Sequence, residues 1–204
     1  MGDKEKVKKL AQRMYNEFMG MHDLYRDAIA ALLSFVGRKS GDEVLEEGMA
    51  AMLKAWWTPA LERYPKGPEK LRQRVKMFLS GARGHLQPLR IMEDDEKVTV
   101  QMMPCGSGGR QVLEGKYEGP DAFLTLTKPQ RLTFGRSSFP VYCAQTPIME
   151  FLDIQSHGLP LMVSEVPDAI GHEPCSFIFY KDPEKIPEKY FERVGLKKPS
   201  SQQT

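Results

Sequence analysis

Apolar residues recur at spacings of three and four through the first part of the chain, as they do along one face of an α-helix. The first stripe consists of Val7, Leu10, Met14, Phe18, Met21, Tyr25, Ala28, Leu32 and Phe35. It predicts a helix over residues 4–38, about 50 Å long at about 1.5 Å per residue. Because a small domain cannot cover a stripe of this length, we expect part of it to pack against a second copy of the chain in a homodimer.

Two more helices are predicted before the pattern changes. Gly37 and Gly41 end the first helix, and the breaking segment 65–68 ends the second. The third helix has a buried face formed by Leu71, Val75, Phe78, Leu79 and Ala82. Residues 1–85 are therefore predicted to be a helical N-terminal part.

After Gly84 the apolar period becomes two, which is typical of half-buried strands. A hairpin is predicted over residues 89–102, around an acidic turn. Further elements are a strand over 111–117, a helix from 146 to 157, strands over 159–165 and 175–181, and a short helix over 183–194. Residues 86–195 thus form an α+β part, and residues 196–204 form a polar tail. Helices followed by an antiparallel sheet with one inserted helix predict the α+β class.

Charge and composition limit the classes of molecule that the protein is expected to bind. The 204 residues include 29 basic and 27 acidic side chains, for a formal net charge of +2. That balance does not indicate a nucleic-acid or membrane partner. The sequence contains no apolar run of about 18 residues, and its charged start leads into no apolar signal core. We therefore expect a cytoplasmic protein that binds neither nucleic acid nor membrane.

Three cysteines, Cys105, Cys143 and Cys175, are the residues best suited to carry chemistry. An odd number of cysteines in a chain of this size argues against the disulfide framework of a small secreted protein. Free thiols, catalysis and metal binding are the alternatives that the sequence leaves open.

The segment Pro104-Cys105-Gly106-Ser107-Gly108-Gly109-Arg110 is the most specific local pattern. Its glycines allow the backbone to approach a ligand closely, and successive N–H groups in such a turn form an anion-binding nest. The candidate substrate-binding residues are Ser107, Gly108, Gly109 and Arg110, with the guanidinium contacting a carboxylate or phosphate. Cys105 is a candidate nucleophile or metal ligand. The alternative interpretation is a bulge between strands with a buried thiol.

Cys143 precedes the predicted helix over 146–157, where the positive end of the helix dipole would lower the pKa of its thiol. Glu150 and His157 follow at spacings of seven, roughly on one helix face. Glu150 is a candidate general base, and the alternative is an exposed helix carboxylate. His157 is either a base or ligand, or a side chain that caps the end of the helix.

Cys175 opens a predicted strand whose alternate residues, Phe177 and Phe179, are apolar. A small buried hydrophobic side chain is therefore the alternative to a ligand role for this cysteine. His22, in the long helix, and His85, at a helix end, are predicted to be structural. Because the chain has no Cys-x-x-Cys pair and no His-Glu-x-x-His motif, spacing alone does not indicate zinc.

The pattern between Cys143 and Tyr180 resembles the end of the 4-vinyl-reductase-type small-molecule-binding domains. The shared elements are a cysteine before a helix, a strand ending near Glu165, and the run Gly171-x-x-x-Cys175-x-Phe177. The same ending resembles the L-2-amino-thiazoline-4-carboxylic acid hydrolase family, in which the leading region is likewise helical.

The resemblance implies a zinc site. The vinyl-reductase-type sensors hold zinc through cysteines and a glutamate, and Cys143, Glu165 and Cys175 match three such positions. Pro167 lies near the position of a further cysteine, so His172 or Cys105 would have to complete the ligand set.

These features leave three functions open. The favoured one is a hydrolase or lyase that cleaves a C–N or C–S bond of a small anionic substrate. Either Cys105 attacks the substrate, or zinc or another thiolate-bound metal activates water, while Glu150 moves protons. The alternatives are a ligand-binding sensory domain with a structural zinc and a thiol-based redox or metal-handling protein. All three require the cysteines to converge on one cavity.

Overall fold

A computed structural model describes residues 2–199 of the chain; Met1 and the end of the polar tail, 200–204, lie outside the described residues. The helices are α1 (Gly2–Glu62), α2 (Leu71–Ala82), α3 (Gly108–Leu113), α4 (Gln145–His157) and α5 (Lys189–Glu192). The strands are β1 (Leu89–Glu93), β2 (Lys97–Met102), β3 (Thr125–Leu126), β4 (Phe139–Pro140), β5 (Val163–Glu165) and β6 (Cys175–Tyr180). The fold is α+β, as predicted, with the helical part first.

Helix α1 is bent at Gly41, whose φ of 83° and ψ of 177° are not helical. Glycine adopts such a positive φ at little cost, so the predicted break falls at this residue. Residues 3–18 are all exposed, and the start of α1 therefore extends beyond the packed part of the chain. No helix among the described residues combines the length and apolarity needed to cross a bilayer.

The main sheet is antiparallel, with the strand order β1-β2-β6-β5. The predicted hairpin is confirmed, since β1 and β2 pair with Leu89 opposite Met102. Val98, Val100 and Met102 are buried on one face of β2, as their alternation predicts. Cys175, the first residue of β6, also lies opposite Met102. This register brings the start of the last strand beside the glycine segment that follows β2.

The strand predicted over residues 111–117 is wrong, because this segment begins inside helix α3 and continues as turns. The fully buried Gln111 explains the difference: its amide donates to the Asp27 carboxylate of α1 at 3.0 Å and accepts from the Tyr117 hydroxyl at 3.1 Å. These contacts with distant residues outweigh the local strand pattern.

The strand predicted over 159–165 is confirmed only at its end, as β5, and the helix predicted over 183–194 is reduced to a 3-10 turn and α5.

One hydrophobic cluster joins the two predicted parts of the chain. It includes Leu45, Met49 and Leu53 of α1, Phe78 of α2, Val100 of β2, Ile148 of α4 and Phe179 of β6. The Phe78 ring packs against Phe177 and Phe179, with centroids 4.9 Å and 5.4 Å apart. The helical part and the α+β part therefore share a core, and the cavity described next lies between them.

Candidate functional site

The three cysteines meet at one cavity of about 420 Å³. Cys105 follows β2, Cys143 lies in the 3-10 turn Val141–Ala144 before α4, and Cys175 begins β6. All three are free and partly exposed. The thiols of Cys105 and Cys175 are hydrogen-bonded to each other, and a Cβ added to Gly108 would lie 2.5 Å from Cys143 Sγ. The convergence that every functional hypothesis required is therefore present.

The glycine segment forms a nest around the sulfur of Cys105. A hydrogen bond from the Cys175 thiol and backbone N–H donors of Gly109, Ser107 and Gly108 together lower the pKa of Cys105 to about 6, against the opposing effect of burial. This shift favours the thiolate form of Cys105 at neutral pH. The sequence predicted a nest for the anion of a ligand, whereas in the structure the nest surrounds a sulfur of the protein itself.

Close backbone packing explains the glycines of this segment. A Cβ at Gly106 would overlap the backbone oxygen of His85, and one at Gly109 would lie 3.1 Å from the Cβ of Cys105 and 3.3 Å from the Cα of Gly171. A side chain at either position would push the turn away from the sulfur that it surrounds. The glycines thus permit the N–H groups to reach the thiolate.

The other two thiols are neutral at physiological pH. Burial raises the pKa of Cys143, and the neighbouring charge of Cys105 raises it further. The hydrogen bond to Cys105, followed by burial, raises the pKa of Cys175. The prediction that Cys143 is the acidic thiol is therefore wrong, because burial and a nearby thiolate outweigh the helix dipole.

The walls of the cavity are mainly apolar. They include Met52, Trp56, Trp57, Phe78, Met149 and Phe177. The polar side chains that line it include His85, Ser107, Gln145, Thr146 and Glu165. Within residues 2–199, no Lys or Arg lines this cavity. The lining is typical of a site for a small apolar molecule with a few orienting polar groups.

Ser107 lies at the centre of a buried polar cluster that the sequence did not indicate. Its hydroxyl, 1% exposed, contacts His85 Nδ1 and lies 3.1 Å from His22 Nε2. His22 Nδ1 in turn lies 3.0 Å from Asp23 Oδ1. Burial lowers the pKa of both histidines, that of His85 to about 4, so both rings are neutral at pH 7. The cluster joins residues from α1, the 3-10 turn Arg83–His85 after α2 and the glycine segment, and no sequence spacing signals that contact.

Arg110 does not line the cavity. Its guanidinium binds the Asp23 carboxylate, and its Nε lies 3.4 Å from Glu114 Oε1. A further nitrogen donates to Met19 Sδ at 3.4 Å. The side chain predicted to hold an anionic substrate instead connects α3 to α1.

Glu150 is buried on α4, with only 3% of its side chain exposed, so the exposed carboxylate considered from the sequence is wrong. Its oxygens accept from Arg193 at 2.6–2.9 Å and from the Ser164 N–H and hydroxyl at 3.1 Å. Burial raises the pKa of Glu150, while Arg193 opposes the rise. The carboxylate does not line the cysteine cavity, and its hydrogen bonds place it in a structural ion pair rather than beside a substrate.

The predicted metal ligands do not form a metal-holding group. His172 is exposed, and Glu165, although it lines the cavity, accepts from the Tyr190 hydroxyl at 2.6 Å and from Lys189 Nζ at 2.9 Å. Among the described residues, no three His, Cys, Asp or Glu side chains are arranged to hold a metal ion. Zinc stays a prediction of the resemblance.

Comparison with known proteins gives no match to a family model, to a curated protein or to a solved structure. The resemblance to the 4-vinyl-reductase-type domains and to the thiazoline carboxylic acid hydrolases therefore stays a prediction.

Proposed function

We propose that this protein is a hydrolase that uses Cys105 as the nucleophile on a small, largely apolar molecule with an electrophilic carbon. The observation that carries the proposal is the environment of one sulfur. Backbone N–H groups and the Cys175 thiol stabilise the Cys105 thiolate, and the same cysteine lines an apolar cavity. A stabilised thiolate beside a ligand-sized cavity is the arrangement that nucleophilic catalysis by cysteine requires.

The chemistry would proceed in two steps. The Cys105 thiolate attacks the electrophilic carbon, a C–S bond forms, and the leaving group departs with the electron pair of its bond to that carbon. Water then attacks the thioester, a C–O bond forms, one proton of the water passes to solvent, and the thiolate leaves with the electrons of the C–S bond. The product is a carboxylic acid, and the nest receives the thiolate again.

The lining favours an uncharged substrate over the anionic one suggested by the sequence. No cationic side chain of the described residues lines the cavity, and Arg110 is ion-paired with Asp23. The thiolate of Cys105 and the carboxylate of Glu165 would both repel an anion inside an apolar space. We therefore place the substrate class among neutral esters, thioesters or amides with an apolar body.

A ligand-binding sensory domain is the second candidate, because the apolar cavity alone would suit it. Binding without chemistry gives no reason for a stabilised thiolate among the lining groups. The two functions differ in one measurable property, which is the formation of a covalent intermediate at Cys105.

The test uses p-nitrophenyl acetate, a neutral aryl ester, as the probe. We expect the wild-type protein to release p-nitrophenolate with a burst and to carry one acetyl group on Cys105 in intact-mass and peptide analysis. Cys105→Ser should abolish both signals, whereas Cys143→Ser and Cys175→Ser should still form an acyl-protein. The proposal fails if the wild type forms no adduct with or without prior chelator treatment, or if Cys105→Ser turns over the ester at the wild-type rate.

We also propose that two copies of the chain associate through α1. Ten large apolar side chains of α1 before the bend at Gly41 are 42–68% exposed: Val7, Leu10, Met14, Tyr15, Phe18, Met21, Leu24, Tyr25, Leu32 and Phe35. Val7, Met14, Met21 and Phe35 fall on a seven-residue repeat, as on the contact face of a coiled coil. Residues 3–13 contain five basic and two acidic side chains, and residues 14–27 contain three acidic and one basic. An antiparallel pair of α1 helices would place these opposite charges together.

Phe18→Glu is expected to convert the homodimer into a monomer, because it places a charge in the apolar contact. Sedimentation equilibrium should give the wild type twice the chain mass of 23.2 kDa and the variant that mass once. Gln12→Glu, a charge change off the repeat, should leave the dimer intact. A wild type that is monomeric at micromolar concentration would refute the self-association.

A further inference from the structure

Cys175 has no step in the proposed hydrolysis, although its thiol contacts the nucleophile directly. The register of β2 and β6 places Cys175 opposite Met102, and Cys105 follows Met102 by three residues. The two thiols are hydrogen-bonded to each other, and both residues line the apolar cavity. The third cysteine at the cavity, Cys143, interacts with Cys105 through charge. The cavity therefore contains a pair of thiols in contact, which acyl transfer at one sulfur does not need.

The two thiols of this pair differ in a way that suits oxidation by two electrons. Backbone N–H groups of the glycine segment stabilise the thiolate of Cys105, and the thiolate is the form that attacks an electrophilic oxygen or sulfur. Cys175 keeps its proton, because the hydrogen bond to Cys105 and burial raise its pKa. A second thiol in contact with a reactive sulfur is placed to convert the oxidised form of that sulfur into a disulfide.

The walls of the cavity indicate the class of oxidant. Their Met, Trp and Phe side chains enclose about 420 Å³, which suits the apolar body of an organic hydroperoxide. Within residues 2–199 no Lys or Arg lines the cavity, whereas Glu165 does, so a negatively charged hydroperoxide is disfavoured. Hydrogen peroxide has no apolar body, and burial in this cavity does not favour its binding.

We propose that Cys105 and Cys175 are the redox pair of a thiol peroxidase that reduces small, uncharged organic hydroperoxides to alcohols. Cys105 attacks the hydroperoxide, and Cys175 forms the disulfide. This activity goes beyond the proposed hydrolase function, although both begin at the same sulfur.

The reduction proceeds in two balanced steps. The Cys105 thiolate attacks the outer oxygen of the hydroperoxide, an S–O bond forms, the O–O bond breaks, and the hydroperoxide proton passes to the departing alkoxide to give the alcohol. The Cys175 thiol then gives its proton to the resulting sulfenate, its sulfur attacks the Cys105 sulfur, and hydroxide leaves as the S–S bond forms. The hydroperoxide gains two electrons, and each sulfur loses one. A dithiol reductant returns the pair to thiols by exchange and becomes a disulfide itself.

The test uses cumene hydroperoxide, an uncharged aryl hydroperoxide, on protein that has been reduced, treated with chelator and freed of reductant. One equivalent should convert the wild type to a disulfide between Cys105 and Cys175, read as the loss of two hydrogen atoms in intact mass and as one linked pair of peptides. Cumene hydroperoxide should oxidise the protein about tenfold faster than hydrogen peroxide at equal concentration, because its ring is buried in the cavity. With excess dithiothreitol the wild type should consume many equivalents.

Three variants assign the roles of the sulfurs. Cys175→Ser should stop the reaction at the sulfenic acid of Cys105, which dimedone traps, and p-nitrophenyl acetate should still acylate this variant. Cys105→Ser should give neither the disulfide nor a dimedone adduct. Cys143→Ser should still form the disulfide, because the third thiol has no step in the reaction.

The outcomes separate the peroxidase from the hydrolase. A wild type that forms no disulfide between Cys105 and Cys175, that consumes no more than one equivalent with dithiothreitol, or that reacts as fast with hydrogen peroxide would overturn the peroxidase, whether or not the ester acylates Cys105. Disulfide formation and turnover in a protein that the ester does not acylate would overturn the hydrolase alone. Because the disulfide is mapped in the wild type, a variant that does not fold leaves the decision unchanged.

Discussion

Alkylation of Cys105 by iodoacetamide is expected to reach half its maximal rate near pH 6 and to level off above about pH 7. The reacting species is the thiolate, and the nest and the Cys175 thiol lower the pKa of Cys105 to about 6. A free cysteine, with a pKa near 8.5, should still gain rate up to about pH 9. The rate at a series of pH values, read by peptide mass spectrometry, checks the prediction.

The ratio of the Cys105 alkylation rate to that of free cysteine should change with pH. At pH 6 about half of Cys105 is thiolate against roughly 0.3% of a free cysteine, while the lower basicity of its sulfur reduces intrinsic reactivity about tenfold. Cys105 should therefore react about ten times faster than free cysteine at pH 6, and more slowly than free cysteine at pH 8.5. A Cys105 rate that follows free cysteine at every pH would contradict the stabilised thiolate. Repeating the series after chelator treatment excludes a metal that shields the sulfur.

Glu150→Gln is expected to lower the free energy of unfolding by about 3–5 kcal/mol, because it leaves the Arg193 guanidinium largely buried without a counter-charge. The Glu150 side chain is 3% exposed and that of Arg193 16% exposed, so water can replace little of the lost interaction. Chemical denaturation measures the change. Glu192→Gln, one residue before Arg193 and exposed, should change stability by no more than about 0.5 kcal/mol.

A double replacement tests the cause of this loss. Glu150→Leu with Arg193→Met should recover much of the stability, because a buried ion pair and an apolar pair of similar volume are nearly equivalent. Folded Glu150→Gln should still be acylated at Cys105. A Glu150→Gln variant as stable as the wild type that no longer turns over p-nitrophenyl acetate would restore the general-base role predicted from the sequence.

The parts of the fold that the sequence predicted are those with a local cause. The hairpin around residues 93–96 follows from alternating residues on both sides of an acidic turn, and α4 ends at Gly158 in the left-handed conformation. The break at Gly41 is similarly local. The strand predicted over 111–117 does not form, because Gln111 instead contacts Asp27 of α1. Asp27 lies 84 residues away in the chain, so the local pattern around Gln111 does not indicate this contact.

The residues of the site were likewise predicted only in part. The sequence identified the nest and the three cysteines as the centre and named Cys105 as a candidate nucleophile, but it also predicted a lowered pKa for Cys143, whose pKa burial raises. It gave Arg110 and Glu150 roles at a substrate, although each is paired with an opposite charge elsewhere. It assigned His22 and His85 to structure, since nothing near them in the chain shows that both reach Ser107.

The sequence by itself determined the α+β class, most of the helices, the hairpin, the exposed apolar stripe of α1 and the glycine-rich turn at Cys105. These follow from apolar periodicity and from residues whose backbone preference is local. Only the tertiary structure decided which sulfur is ionised, which polar groups face the cavity and which are already paired. Those properties depend on burial and on distances between segments far apart in the chain, and neither quantity can be read from the local sequence.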